Sequence, residues 1–77
     1  MKYLVEGFFD NRFAVLADSK ETDDFDTVKD IAWEMAFHGD FVKIRNRDTG
    51  EEQVYDPDEW EAAVECGGYP SRVMELL

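Results

Sequence analysis

The stretch FVKIRNRDTGEEQVYDPDEW, residues 41–60, decides the fold. Its first seven residues alternate, with Val42 and Ile44 on one side and Lys43, Arg45 and Arg47 on the other, which is the pattern of a half-buried strand. Asp48-Thr49-Gly50 reads as a turn, with glycine at the left-handed position, and residues 51–55 return as a second strand. A three-residue loop sets Arg47 opposite Glu51 and Arg45 opposite Gln53. It leaves Val42, Ile44 and Val54 on the buried face. Asp56-Pro57-Asp58-Glu59 then opens a helix, with an Asp cap, Pro at the first position and acids in the first turn. That helix is expected to run to about Cys66, burying Trp60, Ala63 and Val64. Asp58, Glu59, Glu61, Ala62 and Glu65 stay outside, and Gly67-Gly68 ends it.

Upstream, Phe25, Val28, Ile31, Ala32 and Met35 recur at helical spacing and predict a helix over about residues 26–38. Lys29, Asp30 and Glu34 face away from that stripe. Asp24, Asp26 or Thr27 caps its start, and Gly39 stops it. Residues 2–9 and 12–18 read as a first hairpin, turned at Asp10-Asn11, with residues 20–24 as a polar connection. Tyr3, Val5 and Phe9 point to one face of it, Leu4 and Phe8 to the other. Both faces are partly apolar, so either helices cover both sides or a partner or second copy closes one. Residues 71–77 predict a short terminal helix packing Val73, Met74 and Leu77. The expected order is ββαββα(α), an α+β domain spanning residues 1–77.

Composition agrees with a folded domain. The chain is 44% hydrophobic and its eleven aromatic residues are spread from Tyr3 to Tyr69, unlike an acidic disordered tail. The single cysteine rules out an internal disulfide and points to a reducing, cytoplasmic setting. No apolar run is long enough to span a membrane, and residues 1–6 lack the pattern of a signal peptide.

Few residues carry chemistry. His38, the only histidine, closes a helix, with no Ser or Cys near it in sequence to form a nucleophile pair. Cys66 has no cationic neighbour in sequence and reads as a partly buried structural thiol. Asp18, Glu21, Asp23, Asp24 and Asp26 are spaced unlike a calcium loop and lack its turn glycine. One cysteine and one histidine make no zinc site. The expectation is a protein that is not an enzyme and holds no cofactor or metal.

Charge is the remaining signal. Nineteen acids oppose eight bases, a net −11. Residues 18–34 hold seven acids against Lys20 and Lys29, and residues 48–65 hold eight acids and no base. The basic stripe Lys43, Arg45, Arg47 is too small to bind nucleic acid against that field. Like charge at this density costs stability, and carboxylates three or four apart on a helix form rows with about 5–6 Å between neighbours. Such rows suit a groove lined with Arg and Lys. Glu51, Glu52, Asp56, Asp58, Glu59, Glu61 and Glu65 are the first-choice contact surface for a basic partner. Asp23, Asp24, Asp26, Asp30 and Glu34 are the second.

A very short, strongly acidic α/β chain without a catalytic constellation resembles the anti-CRISPR and anti-restriction DNA mimics of phages and mobile elements. The helix–Gly39–strand–Asp48-Thr49-Gly50-Glu51–strand segment is similar to small phage αββ proteins of varied role. The resemblance implies an inhibitor that occupies the basic nucleic-acid-binding surface of a bacterial defence complex, most simply a CRISPR effector at its target-DNA site, in the host cytoplasm. The rival expectation is a structural interaction module or homodimer that uses Leu4, Phe8 and Leu16 of the first hairpin.

Overall fold

A computed structural model describes all 77 residues. Its elements follow the order β1 (Tyr3–Phe8), β2 (Leu16–Thr22), α1 (Phe25–Phe37), β3 (Phe41–Asn46), β4 (Glu52–Tyr55), α2 (Pro57–Glu65) and a terminal 3-10 turn over Ser71–Leu76. The strands make one antiparallel sheet in the order β2-β1-β3-β4, so the chain is α+β. Both helices pack on the same side, forming a slab 29 × 28 Å in plan and 16 Å thick between Cα extremes. The other side of the sheet carries no helix.

The inner face explains itself by alternation. Tyr3 and Val5 of β1 stand beside Asn46 and Ile44 of β3, and Tyr55 of β4 stands beside Val42. These side chains, with Val28, Ala32, Met35, Trp60, Val73 and Leu76, form the buried core. Gly7 lies on the same face, where a Cβ would meet the Asp40 carboxylate at 2.9 Å and the Met35 sulfur at 3.2 Å. Helix α1 crosses the sheet at that point because glycine leaves it room.

The second hairpin forms where the sequence places it, but one residue out of the expected register. Arg45 stands opposite Glu52 and Ile44 opposite Gln53. The cause is Asn46. Its N–H bonds to the Glu51 carbonyl at 2.9 Å, its carbonyl takes the Gly50 N–H at 2.8 Å, and its side-chain oxygen takes the N–H groups of Asp48 and Thr49. The loop therefore spans residues 47–50, four residues rather than three, with Gly50 at φ +80°. A slip of one residue exchanges the faces of a strand. Val54, expected in the core, is 43% exposed on the outer face, and Tyr55 is buried in its place.

The first hairpin is also displaced. Asp10 starts a turn, taking the Arg12 N–H on its carboxylate and the Phe13 N–H on its carbonyl. Phe13 then adopts φ +55°, which breaks the strand expected over residues 12–18. Its ring turns back onto Phe8, 5.3 Å between centroids, and Phe41, 6.3 Å. The ladder resumes at Leu16 with Ala17 as a bulge, so residues 20–22, expected as connection, are strand. Phe9, expected on a sheet face, lies beyond β1 and is 66% exposed.

The C-terminus closes the outer edge of β4. Arg72 donates to the Val54 carbonyl at 2.7 Å and to Glu59 at 2.9 Å, stacks 4.3 Å over the Tyr55 ring, and accepts from Gln53 on its own carbonyl. The terminal turn buries Val73 and Leu76. Met74 and Leu77, expected to pack, face solvent because a 3-10 turn repeats every three residues.

Candidate functional site

Topology sorts the charges. The helix layer, residues 23–38 and 56–77, holds eleven acids against Lys29 and Arg72, a net −9 of the −11. The sheet with its turns holds the other eight acids against six bases. The two acidic blocks that are separate in sequence are thus largely gathered on one side of the slab, because α1 and α2 lie next to each other there.

On α1, Asp26, Asp30 and Glu34 share a row at four-residue spacing, all exposed. On α2, Trp60 faces the sheet, so Asp58, Glu61 and Glu65 lie on the opposite, exposed side. Several nominated acids are already engaged. Asp26 pairs with Lys29 at 2.9 Å, Glu59 with Arg72 at 2.9 Å, Asp24 accepts from the Thr27 hydroxyl at 2.8 Å, and Asp23 accepts the Lys2 N–H at 2.7 Å. Asp56 precedes α2, but its carboxylate makes no cap bond, contrary to the expected Asp cap. Asp30, Glu34, Asp56, Asp58, Glu61 and Glu65 form no ion pair.

Glu51 and Glu52 do not join this surface. Glu51 sits at the end of the hairpin loop. Glu52 lies on the helix-free face of the sheet, 3.7 Å from Arg45. That face also carries Glu21, paired with Arg47 at 2.6 Å, and the cross-strand neighbours Glu6 and Lys43. Acids and bases on this face nearly balance. Two members of the basic stripe, Arg45 and Arg47, are paired by Glu52 and Glu21 rather than by the expected Glu51.

Sequence reading missed the aromatic content of the acidic side. An open cleft of about 140 Å³ separates α1 from α2, walled by Trp33, Trp60 and Tyr69 and edged by Lys29 and Asp30. The Asp26 carboxylate holds the Lys29 ammonium above the usual lysine range, partial burial opposes this, and Tyr69 adds to it. The ammonium lies 4.2 Å over the Tyr69 ring. The Trp60 indole N–H is buried without an acceptor. Beneath α2, burial pushes the Tyr55 phenol up to about 12; Arg72 opposes that shift, while Glu59 and Glu75 reinforce it. His38 and Cys66 are the exposed residues that follow α1 and α2, and Cys66 is more open than the partly buried thiol expected.

Comparison of the chain with known protein families, curated proteins and solved structures gives no match.

Proposed function

We propose that this protein is a polyanionic decoy, which occupies the basic nucleic-acid-binding surface of a bacterial defence complex and excludes target DNA. The observation that supports this reading is the segregation of charge: net −9 on the helix layer, with a charge-balanced sheet face behind it. Charge kept only for solubility has no reason to collect on one side. Each helix offers a carboxylate every 5–6 Å or so along its exposed row, so two adjacent helices together offer about one per 2.5–3 Å, more than half the density of duplex DNA at about one charge per 1.7 Å of axis. Asp58, Glu61 and Glu65, which form no ion pair, are the central contacts, with Asp30 and Glu34 beside them. The finer assignment, to CRISPR effectors, rests on the resemblance in character described above.

The test is competition. Purified CRISPR effector complexes are mixed with labelled target DNA and increasing amounts of the protein, at 50 and 300 mM NaCl. Displacement of DNA that weakens at least tenfold at the higher salt, and is lost in the triple variant Asp58→Lys, Glu61→Lys, Glu65→Lys, supports the reading. Displacement by the triple variant as strong as by the native chain refutes it.

A further inference from the structure

The face of the sheet that no helix covers has a chemistry of its own. Its side chains come in cross-strand rows set by the register of β1 on β3: Leu4 beside Arg45, Glu6 beside Lys43, Phe8 beside Phe41. Beyond them stand Glu21, Ser19 and Leu16 of β2 on one flank and Glu52 and Val54 of β4 on the other. Leu16 and Val54 are 49% and 43% exposed. Glu6 and Lys43 are both half-buried neighbours, yet they do not pair with each other. The Lys43 ammonium turns instead over the rings of Phe8 and Phe13, at 5.4 and 5.6 Å.

From this arrangement we infer that the uncovered face binds a second copy of the chain, making a face-to-face homodimer with both acidic helix layers outward. Charge selects the occupant. A basic partner is drawn to the helix layer and a nucleic acid needs a cationic surplus, but this face is close to neutral, with Glu6, Glu21 and Glu52 interleaved among Lys43, Arg45 and Arg47. It is the one broad surface on which two molecules of net charge −11 can meet without opposing their excess.

Symmetry then fixes the contacts. A two-fold axis lying in the face, between β1 and β3 and parallel to them, lays β1 of one copy over β3 of the other. Because Glu6 and Lys43 stand level across the strands, the axis places each Glu6 against Lys43 of the other copy. Phe13, over Phe8 and Phe41 and near the axis, meets its own counterpart.

The β4 edge is taken and the β2 edge is interrupted. Arg72 and Gln53 occupy β4 through the terminal turn, and on β2 the Asp18 carboxylate already takes the Ser19 N–H at 2.8 Å.

Sedimentation equilibrium from 5 to 500 µM, at 0.15 and 0.5 M NaCl, tests this on the full chain. The native protein is expected to reach twice its 9.0 kDa mass. Glu6→Lys or Lys43→Glu alone is expected to weaken the dimer at least tenfold, since each places like charges together at both symmetric contacts. The exchange Glu6→Lys with Lys43→Glu is expected to restore it to within about threefold. Val54→Lys, at an exposed position that folding tolerates, is expected to weaken it as well, and circular dichroism verifies that every variant is folded. A native monomer at 500 µM, a dimer indifferent to Glu6→Lys and Val54→Lys, or a folded double variant that stays monomeric overturns the inference.

Discussion

The Asn46 amide, 1% exposed, donates to the Leu76 carbonyl at 2.7 Å and so ties the end of the chain to the third strand. The same side chain accepts the Asp48 and Thr49 N–H groups from its oxygen. One buried polar residue thus sets the hairpin register and anchors the terminal turn. Replacing it with leucine leaves one buried carbonyl and two turn N–H groups without partners. We expect Asn46→Leu to cost about 2–4 kcal/mol in urea unfolding. Asn46→Asp keeps the acceptor but sets a buried carboxylate against the Leu76 carbonyl, so it should cost at least as much and should free the last six residues to proteolysis first.

Gly7 is the narrowest contact between sheet and helix. Its φ is ordinary, so only space is at issue: an added methyl meets Asp40 and the Met35 sulfur. The Asp40 carboxylate can swing aside, but Met35 is held in the core. Gly7→Ala is expected to cost about 1–2 kcal/mol, and Gly7→Val more, as read by thermal melting. A stabilised Gly7→Ala variant would show that α1 sits further from β1 than described.

Tyr55 makes stability fall at high pH. Its phenol, bonded to Gln53, ionises near pH 12 in the folded chain and near 10 when unfolded. Its contribution is complete below pH 10 and is lost progressively as pH rises towards 12. Screening by solvent reduces the expected loss to about 1–2 kcal/mol. Urea titrations at pH 9 and 11.5 should show the drop, and Tyr55→Phe should remove most of it.

Salt should stabilise the protein. Screening relieves the acidic rows on α1 and α2, at about 0.2–0.5 kcal/mol per like-charged helix neighbour. The urea midpoint is expected to rise between 20 and 500 mM NaCl. Glu61→Lys with Glu65→Lys should begin higher at low salt and respond less. An equal salt response in both proteins would place the repulsion elsewhere in the chain.

The helices were the legible part of the fold, because each states its face by spacing and its limits by neighbours: Val28, Ala32 and Met35 before Gly39, and Pro57 and Trp60 before Gly67. The sheet was less so. Val54 and Tyr55 are both apolar, so alternation in β4 fits either register, and the choice fell to a buried asparagine that looks like an ordinary turn residue. Strand β2 gave almost no pattern, since LADSKET lies at an edge with most of its side chains in solvent. The rows of Asp58, Glu61, Glu65 and of Asp30, Glu34 followed from helical spacing alone. That they share one side of the molecule depends on the packing of α1 beside α2, which no local signal encodes, and the departure of Glu52 from that group is a consequence of the one-residue register.

A slab 16 Å thick with its excess charge on one side is an electric dipole as well as a polyanion. A cationic surface within a Debye length, about 8–10 Å in ordinary salt, exerts a torque on it before any contact is made. The helix layer is turned to lead and the neutral sheet face to trail. Orientation is then selected during approach, so fewer encounters are wasted on the wrong side, and raising the salt removes the rotational bias together with the attraction.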